Sequence, residues 1–231
     1  MLLYGFAAAL HYVVIEFVRA SSAEQRSLEA RLMAQDAELR MLRTQIDPHF
    51  LFNSLNSISA LTSQDAKAAR RMTLELASFF RHSLGMEAHT MVTLDEELVL
   101  IRHFLAIEQV RFGARLQVEE QVAGDALPCL VPPMIIQPLV ENAVKHGIGH
   151  LPDGGCVRIS VQRAATVLRI RVENGVDADL PPPRGPGNGI GLANVRQRLA
   201  AAYQHDASIH WARQGDSFSV EISMPAQTGE A

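Results

Sequence analysis

The chain has 231 residues, 48% of them hydrophobic and 20% charged, which excludes a disordered polymer and suffices for one large domain or two small ones. Its 21 Lys and Arg stand against 25 Asp and Glu, a net charge of −4 that excludes a strongly basic nucleic-acid binder, so no direct nucleic-acid partner is expected. The two cysteines, Cys129 and Cys156, lie far apart and form no C-x-x-C pair, which argues against a disulfide scaffold or a structural zinc site.

The first predicted element is the run at residues 2–18, LLYGFAAALHYVVIEFV, in which Glu16 is the one charged residue. As a helix it spans about 25 Å, slightly short of a bilayer core. It reads as a transmembrane helix ending near residue 20; the alternative is a helix buried in a dimer. Arg19, Arg26 and Arg31 favour the cytoplasmic side for the chain beyond residue 20. Residues 23–42 contain no Gly or Pro and are rich in Ala, Leu, Glu and Arg. Leu32, Leu39 and Ile46 repeat every seventh position, so a signalling helix with a coiled-coil seam is expected, interrupted at Gln35.

Next comes the stretch QIDPHFLFNSLN. Pro48 removes a backbone donor and disturbs the turn before it. Downstream the apolar stripe resets to Leu51, Leu55, Ile58 and Thr62, well away from His49. His49 is therefore expected to project into solvent from a kinked helix, with Asn53 one turn on and on the same face. The alternative for a lone histidine is a hydrogen-bonded core position. A second helix, residues 65–84, carries Met72, Leu76, Phe79, Phe80 and Leu84 on its apolar face; paired with the first and doubled in a dimer it makes a four-helix bundle. Arg81 and His82 near its end read as charges answering the helix dipole. After a linker at 85–92, Thr93 caps a helix over 94–112, with Glu96 as the capping-box acid.

From about Leu116 short alternating strands take over: Leu116–Glu120, Val157–Val161, Val167–Val172, Ala207–Trp211 and Phe218–Met224. Pro132 and Pro133 open a helix, MIIQPLVENAVKHGI, on which Asn142, Lys145 and His146 share a face. An amide oxygen beside an ammonium suits Mg²⁺ and phosphate. Further on come Glu173, Asn174 and Gly175, a Pro-rich loop, and a G-x-G-x-G run of Gly187, Gly189 and Gly191 that opens a helix. No Rossmann fingerprint and no P-loop is present.

The string QIDPHFLFNSLNSISAL resembles the phosphoacceptor region of LytS-type sensor histidine kinases, departing from the usual Q-I-N-P-H-F-L-F-N at Asp47. The order E-N-x-x-K-H, then E-N-G, then a loop, then G-x-G-x-G-L-x-N-x-R-x-R-L is similar to the ATP-binding domain of the histidine kinase, gyrase, Hsp90 and MutL superfamily. The resemblance implies an α+β chain: a membrane segment over 1–20, signalling and phosphotransfer helices over 21–92, a Bergerat-type α/β sandwich over 93–226 and a tail over 227–231. It implies that His49 is the phosphoacceptor, Asp47 orients its ring, and Asn53 positions a water for dephosphorylation. It implies ATP and Mg²⁺ as cofactors. Asn142 holds the metal; Lys145 and His146 lie near the phosphates; Glu173, with Asn174 and Gly175, stands at the adenine-reading position. The loop at 176–190 is the lid, and Gly187, Gly189, Gly191, Leu192 and Asn194 shape its phosphate-facing end. Arg196 and Arg198 either assist there or are surface charges. The implied function is autophosphorylation of a homodimer at His49 and transfer to an aspartate of a response regulator, with LytTR-type output by family association. Glu173 in place of Asp, and Asp177 in place of glycine, leave a rival: a non-catalytic dimeric scaffold with a degenerate nucleotide site.

Overall fold

This computed structural model describes residues 48–86, 89–177 and 190–229. The apolar run at 2–18, the coiled-coil segment, Asp47, Gly187 and Gly189 lie outside them. The chain divides into two compact units, Met1–Asn53 and Ser54–Ala231. Among the described residues no helix is long and apolar enough to cross a membrane.

Helix α1 is Pro48–Gln64 and helix α2 is Ala66–Met86. Pro48 stands at the first position of α1, where a missing N–H costs little. Only Asp65 separates the two helices. Its carboxylate accepts the N–H groups of Lys67 and Ala68, both at 3.0 Å, the contacts of an N-cap. Its own N–H donates to the Leu61 carbonyl at 2.8 Å and its carbonyl accepts from Ala69 at 3.0 Å, so helical hydrogen bonding carries across the joint. The apolar stripe expected to pair α1 with α2 is largely open: Leu55 is 48% exposed, and Phe50 and Ser54 are buried instead.

Helix α2 buries Ala68, Ala69, Met72, Leu76, Phe79 and Met86 at helical spacing, and Leu84, expected on this face, points outward. Its principal neighbour is α3, Leu94–Phe112. Phe79 meets Phe104 with ring centroids 6.2 Å apart, and Glu75 reaches His103 Nδ1 at 2.6 Å. The start of α3 is as its sequence predicts. Thr93 Oγ1 accepts from the Glu96 N–H at 3.3 Å while the Glu96 carboxylate accepts from the Thr93 N–H at 2.8 Å. Gly113, at φ 58°, ends the helix with its N–H on the Gln109 carbonyl.

The sheet comprises β2 (Leu116–Val122), β4 (Gly155–Ala164), β5 (Val167–Gly175), β6 (Ser208–Gln214) and β7 (Ser217–Pro225), in the order β2-β4-β5-β7-β6. Only β2 and β4 run parallel. Two short strands, β1 (Val92–Thr93) and β3 (Leu130–Val131), pair separately. Strand period two puts Val157, Ile159, Leu168, Ile170, Val172, Val220 and Ile222 on one buried face. The opposite face carries ion pairs, Arg158–Glu119 at 2.8 Å and Arg169–Glu221 at 3.4 Å, which at this exposure add little stability. Trp211 is half-buried on edge strand β6, where the Arg196 guanidinium lies 4.8 Å from its ring centroid.

Helix α4, Gln137–Asn142, starts later than its sequence suggests. The backbone before it is turned, with Met134 at φ 56°, and the amides of Met134 and Ile136 donate to Glu97. Residues Ala143–Gly147 continue α4 as a π-helical turn. Helix α5 is Ile190–Tyr203.

Candidate functional site

Within the second unit, three elements converge on one corner of the sheet. The α4 helix and its π turn bury Leu139, Val140, Ala143, Val144 and Gly147. That leaves Asn142 half-buried and Lys145 and His146 exposed on the other side, the shared face that their spacing predicts. Burial, then the charges of Lys145 and His150, hold His146 below its ordinary pKa. The His150 ring stacks on it with centroids 6.4 Å apart.

Gly147 fixes how closely this turn approaches β5. A Cβ there would stand 2.2 Å from Asn174 Nδ2 and 2.8 Å from the Gly175 carbonyl oxygen. Asn174 is buried and donates to the Gly175 carbonyl at 2.8 Å. It lies in register with Val157 and Phe218, on the helix-covered face. Glu173 lies in register with Arg158 and Ser219, on the outer face, and pairs with Arg171 at 3.0 Å. Strand alternation thus puts the Glu173 carboxylate on the outer face of the sheet and the Asn174 amide on the helix-covered face. Beyond β5, the Asp177 carbonyl accepts from Arg213 at 2.9 Å and the Val176 N–H donates to Asp216 at 2.7 Å, so the strand's exit is tied to the β6–β7 turn.

Gly191 stands in the first turn of α5, where a Cβ would sit 3.4 Å from Pro138 Cβ, ordinary contact that lets α5 lie against the start of α4. Leu192 is half-buried and Asn194 exposed on the same helix. Neither arginine of this helix is idle. Arg196 covers Trp211, and Arg198 donates to the Pro133 carbonyl at 2.5 Å.

In the first unit, His49 is exposed on the first turn of α1. The Asn53 side-chain amide nitrogen lies 3.1 Å from His49 Nε2 and 3.3 Å from Nδ1, the i, i+4 contact their spacing predicts.

Family models match two stretches of the chain. Residues 37–116 match "Histidine kinase", and residues 133–228 match "Histidine kinase-, DNA gyrase B-, and HSP90-like ATPase". The chain belongs to the LytS-type sensor histidine kinases. It is 33% identical over 214 residues to the sensor protein LytS of Staphylococcus haemolyticus, a match covering 88% of this chain and 36% of that one. To the sensor histidine kinase YpdA of Escherichia coli K12 it is 36% identical over 208 residues, 87% of this chain and 36% of that one. To the sensor histidine kinase/phosphatase LytS of Staphylococcus aureus Mu50 it is 37% identical over 191 residues, 78% of this chain and 32% of that one. This histidine kinase chain thus spans about a third of the length of these relatives.

Two structural features of this chain escape a reading of motifs. The closeness of Gly147 to Asn174 joins residues far apart in sequence. Glu97 is fully buried, and its signal was present: it occupies an apolar slot between Leu94 and Ile101 on α3.

Proposed function

We propose that this chain is the ATP-dependent kinase part of a sensor protein, in which His49 accepts a phosphoryl group and passes it to an aspartate of a response regulator. The observation that carries the reading is the exposed His49 imidazole with the Asn53 amide against its ring nitrogens, in a chain that also carries the matched ATPase module. When bound, Mg·ATP supplies the transferable phosphoryl group and a cation that neutralises its charge. The residues present fit such a ligand. The Asn142 amide oxygen suits a hard cation, Lys145 offers a mobile ammonium to phosphate, and neutral His146 adds a hydrogen bond. Glu173, Asn174 and Gly175 stand at the adenine-reading position, where the Asn174 amide can both accept from an amino group and donate to a ring nitrogen.

At His49 a neutral ring nitrogen offers its lone pair; the new N–P bond forms as the bond from phosphorus to the departing ADP oxygen breaks. Asn53 fixes the ring's orientation, which lowers the entropic part of the barrier. The phosphoramidate is then attacked by a regulator carboxylate, returning His49 to its neutral form. The same reading makes the chain a homodimer whose regulator has LytTR-type output. Residues 2–18 anchor it in the bacterial inner membrane with its catalytic part in the cytoplasm, supported by that run's apolar composition.

The test is incubation of the full chain with γ-labelled Mg·ATP, wild type against His49→Gln. Acid-labile, alkali-stable label that disappears in His49→Gln is expected. Label that persists in the variant overturns the assignment of His49. No label in either protein, together with no nucleotide binding, replaces the kinase reading with the scaffold reading.

A further inference from the structure

Glu97 is a buried carboxylate of the described residues that no motif explains. Its side chain is wholly buried on α3. Its oxygens accept the backbone N–H of Met134 and, at 3.1 Å, that of Ile136. These residues immediately precede α4, the helix that carries Asn142. On the other side of the same segment, Arg198 of α5 donates to the Pro133 carbonyl at 2.5 Å. Residues 133–136 are therefore held from two directions, a carboxylate on their amides and a guanidinium on a carbonyl. The two holders sit on α3, which packs on α2, and on α5, which begins with Ile190 and Gly191.

The turned backbone explains why a carboxylate is used. Met134 has φ 56°, a left-handed conformation that a residue with a side chain adopts only when its surroundings impose it. The amides this turn directs inward have no helical acceptor, and buried amides must be satisfied. A carboxylate with two acceptor oxygens satisfies them; an apolar side chain in that slot would leave them orphaned.

We infer that Glu97 is a positioning residue: with Arg198 it clamps residues 133–136 and so sets where α4 presents Asn142, Lys145 and His146 to a nucleotide. This rests on the nucleotide-site reading of the preceding subsection. Burial pushes the Glu97 carboxyl up to about 7, against the lowering effect of the amides and of Arg198. The charged group acting on it from the packed elements is Arg198; residues 134–136 offer it backbone N–H groups. Once protonated, Glu97 turns one acceptor oxygen into a donor that faces an N–H, and the clamp loosens.

The experiment is calorimetric titration of the full chain with Mg·ADP between about pH 6 and pH 9, for wild type, Glu97→Gln and Arg198→Met. Wild type is expected to lose affinity as pH falls through about 7, beyond the loss set by the nucleotide's own ionisation, by about tenfold. Glu97→Gln should bind about tenfold more weakly at high pH and follow only the nucleotide's ionisation. Arg198→Met removes the cation that favours the charged carboxylate, so its midpoint should move upward. Arg198 is exposed, so this variant carries the test if Glu97→Gln fails to fold. A wild type that binds while both variants reproduce its affinity and profile overturns the positioning role alone. A wild type that binds no Mg·ADP overturns this role and the nucleotide site together.

Discussion

At the scale of single residues, two glycines of the site behave oppositely. A methyl group on Gly147 would collide with both the Asn174 side chain and the Gly175 backbone, and the second cannot rotate away. Gly147→Ala is therefore expected to destabilise the fold by about 1–3 kcal/mol, read from the urea midpoint, and to weaken Mg·ADP binding. Gly191→Ala meets only ordinary contact with Pro138 and should leave the urea midpoint nearly unchanged. The contrast separates a glycine needed for close approach from one that is merely tolerated. Much of the site could be read at this scale. The i, i+3, i+4 face of Asn142, Lys145 and His146 and the His49–Asn53 pair follow from helical spacing alone. Which face of the sheet Glu173 and Asn174 each take did not. Both are polar, both stand at the strand's end, and only the register with Val157 and Phe218 shows which side each takes.

At the scale of elements, α3 is where local signals and tertiary packing agree most closely. Thr93 and Glu96 satisfy each other's backbone donors, and Asp95, Glu96 and Glu97 cluster at the positive end of the helix. Thr93→Ala removes one half of the capping box and should cost about 1 kcal/mol of unfolding free energy, measured by urea denaturation with unchanged slope. The five strands of the main sheet were equally legible, because each alternates apolar and polar residues. The beginning of α4 was not. Its apolar run from Met134 reads as helix, yet Met134 takes a left-handed backbone, and a carboxylate far upstream, on α3, holds the amides of Met134 and Ile136. The partner of α2 was also hidden. Its apolar face is equally suited to α1 or α3, and sequence pattern alone cannot choose.

At the scale of the whole molecule, Glu97 gives stability and nucleotide binding opposite dependences on pH. Its folded pKa of about 7 lies above the ordinary carboxylate value, so its contribution to stability is fully present below the ordinary range. That contribution is lost as pH rises to about 7, and it amounts to about 3 kcal/mol across the window. Wild type compared with Glu97→Gln should therefore show an unfolding free energy that falls by this order between about pH 5 and pH 8 in wild type only, read by urea titration at each pH. An equal slope in both proteins would remove Glu97 as its source. The fold is tightest where the carboxyl is neutral; the clamp on residues 133–136 needs it charged.

The half-buried indole on strand β6 has one further consequence. Trp211 is the only tryptophan in the chain, and the guanidinium of Arg196 rests on its face from helix α5. A cation against an indole changes the energy and yield of its emission, so the tryptophan fluorescence of the unlabelled protein has a single origin. Any shift of α5 relative to the sheet is written into that one signal, without a dye or an engineered probe.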